Sequence, residues 1–236
     1  MKELELSPRL QAIADQVPQG ARLLDVGTDH AYLPVWLLRQ GRVAAAAASD
    51  VNQGPLERGR ETAQTYGVLE QMTFRCCDGL EGAGPEEADT IVIAGMGGEL
   101  IAHILEKAPW TRDALLLLQP MTAQPFLRQW LITNGYTITR ERLQREGNKV
   151  YTILTVRGGE SPAYTPGELW VGRQQEEDPP YRAAYLSDLI RRRERALEGM
   201  RKGEAMEPET IQAEEVLLAD LRRLEKEWEE RTEGTQ

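Results

Sequence analysis

Three acids in this chain stand where short apolar runs end. Asp25 lies in the run over 22–26, Asp50 closes 43–50, and Asp78 follows 71–76. A carboxylate at a strand's carboxyl end opens on a crevice edged by backbone N–H groups, where ligands of α/β sheets bind. A fourth run, 89–94, ends in Gly95-Met96-Gly97-Gly98. Packing alone asks for one glycine; so many at one strand end favour backbone that approaches a ligand or takes positive φ.

The chemistry of the first turn narrows the ligand. A dinucleotide fingerprint is G-x-G-x-x-G, whose second glycine lets a pyrophosphate approach the backbone. Here Gly27 is followed by Thr28, Asp29, His30 and Ala31. A carboxylate in that cradle repels a pyrophosphate and suits a ligand carrying an ammonium and a sulfonium, which is S-adenosylmethionine. The stretch resembles motif I of class I methyltransferases, D/E-x-G-x-G-x-G, with its second and third glycines replaced. The plainer alternative is that Asp25 and Asp29 are only turn and cap residues.

These positions need an alternating α/β frame. Residues 7–16 read as a helix capped by Ser7 with Pro8 at its first position, and with Leu10, Ile13, Ala14 and Val17 on one stripe. The strand at 22–26 leads through the turn into a helix that starts near Pro34. The run 43–50, VAAAAASD, favours helix by alanine propensity, yet Gly41 and the Asp50-Val51-Asn52 ending place it as strand two. Helix 54–66, strand 71–76, strand 89–94, helix 99–107, strand 114–118 and helix 125–134 follow. Residues 136–143 and 150–156 form an antiparallel hairpin across Gly147-Asn148. His103 lies inside a helix and reads as structural or solvated; Cys76 and Cys77 read as small, half-buried residues rather than nucleophiles.

Residues 158–180 carry prolines at 162, 166, 179 and 180 and read as a linker. Beyond it, 181–202 places apolar residues at 186, 189, 196 and 200. Residues 209–231 place Leu217, Leu221, Leu224 and Trp228, with a break at 203–208. That is an antiparallel helical hairpin, coiled-coil-like and too narrow to build a core of its own. The expected division is therefore 1–157, linker 158–180, and 181–236.

The 236 residues carry a net charge of −10, which argues against duplex nucleic acid as a partner. The charge is uneven, −3 over 1–157 and −7 over 158–236, so a local basic face stays open. Arg191, Arg192 and Arg193 form the densest basic patch, either a solvated helix face or an RNA-contact strip. No membrane-length apolar run and no secretory signal core is present, so a soluble, cytoplasmic protein is expected. Two adjacent cysteines and two histidines have no metal-ligand spacing, so no metal is expected.

The segments LSPRL, DVGTDHAYLP, VNQGP, Asp78-Gly79-Leu80, IAGMGG, LQP and NGYTI…GNKVYTIL resemble the bacterial tRNA (adenine-N1)-methyltransferase family TrmK, in unbroken order over 6–157. Cys77 stands where that family usually has glycine before Asp78-Gly79, and the LWVGRQQ segment is a second departure. The resemblance implies a class I, Rossmann-like methyltransferase sheet with the helical hairpin appended. It also implies methylation of N1 of the adenine at position 22 of tRNA, with S-adenosylmethionine as cofactor; separately, the chain is expected to be a monomer or weak dimer. Under it Asp29 receives the methionine ammonium, Asp50 the ribose and Asp78 the cofactor's adenine. Asp25, Gly27, Thr28, His30, Val51, Asn52, Cys77, Gly79 and Ala94 complete the cofactor shell. Gly95, Met96, Gly97 and Gly98 line the methyl-transfer gap, and Tyr32 stacks on the flipped base. Exocyclic-amine methyltransferases carry an Asn/Asp-Pro-Pro-aromatic tetrad after strand four; the glycine run has no such grip. A ring nitrogen with a free lone pair needs positioning rather than a general base. The other readings are a methyltransferase for another RNA, a protein or a small molecule, and an inactive cofactor-binding module.

Overall fold

Neighbouring residues of β1 (Ala21–Val26) enter different cores: Leu23 packs with one buried cluster and Leu24 with another. β4 (Thr90–Gly97) and β5 (Leu115–Thr122) alternate likewise, Val92 and Leu117 to one side, Ile91, Ile93, Leu116 and Leu118 to the other. Strands covered on both faces need continuous apolar runs, which explains the sequence pattern. The computed structural model describes residues 3–174, 181–202 and 207–233. Contacts divide the chain into two units, Met1–Ser161 and Pro162–Gln236.

The first unit is a seven-stranded sheet in the order β3-β2-β1-β4-β5-β7-β6, with β2 (Val43–Asp50), β3 (Met72–Cys76), β6 (Tyr136–Glu146) and β7 (Lys149–Gly158). β1 to β5 run parallel, and β7 returns antiparallel to β5. The alanine run is indeed a strand. Its Ala46, Ala47 and Ala48 are buried between β1 and β3, so sheet packing overrides helix propensity. Helices α1 (Pro8–Ala14), α2 (Tyr32–Arg39), α3 (Gln53–Thr65), α4 (Gly98–Glu106) and α5 (Gln124–Thr133) complete the α/β arrangement. The Ser7 side chain caps α1 by accepting the Leu10 N–H at 3.4 Å. Inside the sheet's far edge, Arg128 of α5 and Glu141 of β6 form a fully buried ion pair, Nη2 to Oε2 2.8 Å.

The second unit corrects two expectations. The stretch read as a linker contains a helix, α6 (Pro166–Val171), closed by a capping box. The Glu168 N–H donates to the Thr165 hydroxyl, and the Thr165 N–H donates to Glu168 Oε2 at 2.8 Å. Residues 175–180 of that stretch, and 203–206 of the expected break, lie outside the described residues. The long helices α7 (Arg182–Lys202) and α8 (Pro208–Glu233) run antiparallel, since Ser187 meets Glu225 and Arg201 meets Glu215. They do have a core of their own, because α6 adds a third side: Val171 joins Leu186, Leu189, Ile190, Leu197, Leu217, Leu218, Leu221 and Leu224. On α7 the buried stripe runs through Ile190 and Leu197 rather than Ala196 and Met200. Gly167 permits the close approach of α6 to α8, its N–H donating to Asp220 Oδ2 at 2.6 Å. A Cβ there would stand 2.7 Å from that oxygen.

Candidate active site

The turn after β1 is built by backbone folding onto β2. The N–H groups of Gly27 and Thr28 donate to the Ser49 carbonyl at 2.8 and 3.1 Å. That path requires φ +75° at Gly27, the left-handed region where glycine has no Cβ to clash. The buried Thr28 hydroxyl then accepts the Ala31 N–H at 3.1 Å, holding Ala31 at φ +53° as α2 begins. Asp25 sits beneath, buried. Desolvation pushes its carboxyl up to about 6, against the opposing hydrogen bond with Thr28.

Above this floor the groups are exposed. Arg58 of α3 ion-pairs with Asp29 and also hydrogen-bonds it, which, with the nearby His30, holds the Asp29 carboxyl below its ordinary range despite slight desolvation. His30 stacks on Tyr32 with ring centroids 5.1 Å apart and planes 6° from parallel. Across from the turn, the tip of β4 breaks register with β5 between Ala94 and Gly97. Its three glycines have separate reasons. Gly95 takes φ +80°; a Cβ on Gly98 would meet the Ala123 carbonyl oxygen at 2.6 Å; Gly97 faces the Thr122 hydroxyl.

A cleft of about 350 Å³ joins these parts, lined by Arg9, Leu10, Asp25, Gly27, Thr28, Asp29, His30, Ala31, Tyr32, Leu33, Ala94 and Gly95. It gathers the first-turn residues and the start of the glycine tip that the sequence singled out. Met96 is instead packed over Gly27, with Gly97 and Gly98 serving the β4–β5 junction. Asp50, Val51, Asn52, Cys77 and Gly79 lie at the neighbouring ends of β2 and β3. There the Asp50 carboxylate accepts the Asn52 N–H at 2.7 Å, and the Asp50 carbonyl accepts the Cys77 N–H at 3.1 Å. The Asp78 carboxylate pairs with Lys107 Nζ at 3.0 Å in a separate hollow of about 200 Å³, which His103 and Trp110 also line.

Two residues of this surroundings have no local signal in the sequence. Arg58 reaches Asp29 from 29 residues away. Arg9 reaches the cleft from α1 and stands out only as part of LSPRL. Of the three arginines on α7, Arg193 is committed to Glu214 and to the Trp170 ring at 4.4 Å, within the second unit. Arg191 and Arg192 are exposed and share Asp188. Among the described residues no group of three or more metal-ligating side chains converges, and no helix is long and apolar enough to cross a membrane.

A family model described as "Methyltransferase domain" matches residues 6–154. The chain is 38% identical over 169 residues to the tRNA (adenine(22)-N(1))-methyltransferase of Bacillus subtilis, covering 71% of each protein. The crystal structure of the B. subtilis m1A22 tRNA methyltransferase TrmK superposes with a TM-score of 0.80 at 32% identity, over 95% of this chain and 99% of that one. A Streptococcus pneumoniae protein solved in complex with S-adenosyl-L-methionine gives a TM-score of 0.80 at 31% identity, over 92% and 99%. The cleft thus lies inside the matched methyltransferase region, and the chain belongs to the tRNA (adenine(22)-N1)-methyltransferase family.

Proposed function

We propose that this protein methylates N1 of the adenine at position 22 of tRNA, using S-adenosylmethionine. The observation that carries the reading is the pairing of an acidic first turn with a glycine tip at β4 in one cleft. The donor set fits the cofactor. Asp25 and Asp29 supply negative charge for a ligand bearing an ammonium and a sulfonium, and Arg9 supplies the cation that an amino acid's carboxylate needs. The cofactor, when bound, offers a methyl group on a positively charged sulfur.

The chain's own residues bind, orient and exclude. Asp29 receives the ammonium in exchange for Arg58. Asp50 and Asp78, at successive strand ends, take the ribose and the adenine of the cofactor, with Lys107 giving up its hold on Asp78. Gly95 bounds the gap where the acceptor nitrogen approaches, and the Tyr32 face, already stacked on His30, receives the unpaired base. Neutral adenine carries no proton on N1, so attack by its lone pair needs no general base. Positive charge passes from sulfur to the methylated ring, and the catalytic task is alignment. Arg191 and Arg192 on α7 contact the tRNA backbone.

The test is incubation of the purified protein with methyl-labelled S-adenosylmethionine and tRNA lacking the modification, followed by digestion to nucleosides. Label in 1-methyladenosine, lost when position 22 is changed from adenine, is expected. Label in any other nucleoside, or none, overturns the reading.

A further inference from the structure

Six large apolar side chains are exposed among the described residues, and five of them stand along one edge of the fold. Tyr32 and Val51 follow β1 and β2, Leu100 lies at the start of α4 behind β4, Met121 is near the end of β5, and Phe126 sits in the first turn of α5. That is the carboxyl edge of the sheet, which also holds the cleft. Exposed apolar side chains scattered singly need no explanation; gathered along one edge they mark a surface that a partner covers.

The same edge divides by charge. Over β1, β2 and β3 it carries Asp25, Asp29, Asp50 and Asp78, which repel a polyanion. The other half runs β4-β5-β7-β6 and ends in the β6–β7 hairpin. Because β7 is antiparallel to β5 and β6 to β7, the hairpin tip over 145–149 points to the carboxyl edge as well. Arg145 and Lys149 flank that tip, both exposed, and among the described residues neither forms an ion pair. The acid between them, Glu146, is engaged elsewhere, its Oε2 accepting the Arg9 N–H at 3.0 Å. Arg145 follows Glu141 and Leu143 on the strand face that meets α5, where Glu141 pairs with Arg128. Phe126 is held on this same side. Pro125 precedes it in the first turn of α5, and the Thr152 hydroxyl donates to Gln124 Oε1 at 3.2 Å, tying the helix start to β7. Its ring is nonetheless 47% exposed, and so is the neighbouring Met121 at 43%.

We propose that this half of the edge is the docking surface for the RNA that flanks the target adenine. Phe126 stacks on a base beside the target, and Arg145 and Lys149 take neighbouring phosphates. The inference rests on the acceptor reading given under Proposed function. The cofactor's polar groups belong with the acids of β1, β2 and β3, so the acceptor enters from β4 and β5. Withdrawing an adenine from its stack bares the faces of its neighbours, and an exposed aromatic ring beside the cleft covers one of them. The strand then leaves the cleft past two cations that no acid of the described residues neutralises.

The experiment measures Kd for unmodified tRNA over a salt series, with S-adenosylhomocysteine present, so that binding is read without turnover. It compares wild type with Phe126→Ala, Phe126→Tyr and the double variant Arg145→Gln with Lys149→Gln. Melting temperature and S-adenosylhomocysteine affinity are recorded for each and stay at wild-type values. Loss of one stacked base weakens tRNA binding about 5- to 100-fold in Phe126→Ala, leaves the salt dependence unchanged, and is recovered in Phe126→Tyr. The double variant instead lowers the slope of log Kd against log salt by about 1.4 to 1.8, the share of two phosphate contacts. An unchanged Kd in Phe126→Ala or an unchanged slope in the double variant overturns the proposal; both together are the result expected of a face that serves a protein. A parallel loss of S-adenosylhomocysteine affinity also overturns it, because the variants would then act through the cleft. Wild type that binds tRNA yet methylates a different nucleoside sinks the reading under Proposed function and leaves the docking surface to be judged on Kd, so the two failures are distinct.

Discussion

Gly27 lies directly beneath Met96, so close that a Cβ on Gly27 would stand 2.0 Å from Met96 Cε. The turn after β1 and the tip of β4 are therefore packed directly on each other beside the cleft. Gly27→Ala meets two obstacles, the clash and the φ of +75°. The methionine end can swing away; the backbone strain cannot. Gly27→Ala is expected to cost about 1–3 kcal/mol and to weaken S-adenosylhomocysteine binding. Met96→Ala in the same chain should restore only the part due to the clash. Urea melts and calorimetry on the single and double variants separate the two, and full rescue would show that strain contributes nothing.

Asp25 makes the cleft floor sensitive to pH. Burial raises its folded-state value to about 6 from an ordinary 3.8. Between those values the folded state binds more protons than the unfolded chain, so stability falls as pH rises through that window and stays lower above it. The difference corresponds to about 3 kcal/mol at most. Asp25→Asn should flatten this dependence and raise the melting temperature at pH 7.5 relative to wild type. A cationic ligand in the cleft favours the carboxylate, so S-adenosylmethionine should bind more tightly as pH rises from 5 to 7. S-adenosylhomocysteine, which lacks the sulfonium charge, should respond less. Identical pH profiles for the two ligands would remove Asp25 from the cofactor's electrostatics.

Much of the first unit was legible because its signals are local. Apolar runs ending in acid or glycine mark the parallel strands, Ser7-Pro8 marks the first helix, and Gly147-Asn148 marks the hairpin turn. Helix α6 starts at a capping box of Thr165 and Glu168, a local signal that a reading based on the prolines alone passes over. What local reading cannot supply is pairing across the fold. Asp78 and Lys107 meet from 29 residues apart, Arg9 and Gln119 from 110, and each pairing changes what its residue is free to do.

The ion pair of Asp29 with Arg58 sets a competition. If Asp29 receives the cofactor's ammonium, Arg58 must yield, and removing it should make binding easier. Both side chains are largely exposed, so the effect is small. Arg58→Ala is expected to tighten S-adenosylhomocysteine binding by a few-fold, and Asp29→Ala to weaken it by more. Weaker binding in Arg58→Ala would instead make the arginine part of the cofactor's own contacts.

The three consecutive arginines of α7 divide by what they touch. Arg193 packs on Trp170 and pairs with Glu214, itself buried, so removing Arg193 leaves a carboxylate without its partner inside the second unit. Arg193→Ala should therefore lower stability by about 3 kcal/mol, the cost of breaking a mostly buried pair. Arg191 and Arg192 share one half-buried aspartate, are themselves exposed, and contribute little to the fold. Their joint replacement by alanine should leave the melting temperature within a degree or two of wild type. It should raise KM for tRNA and make that KM less steeply dependent on salt, since each lost phosphate contact removes about one released counterion. Measuring melting temperature and the salt dependence of KM on both variants decides the division. A double variant with unchanged KM would take the α7 arginines out of tRNA binding and leave the contact to other basic side chains.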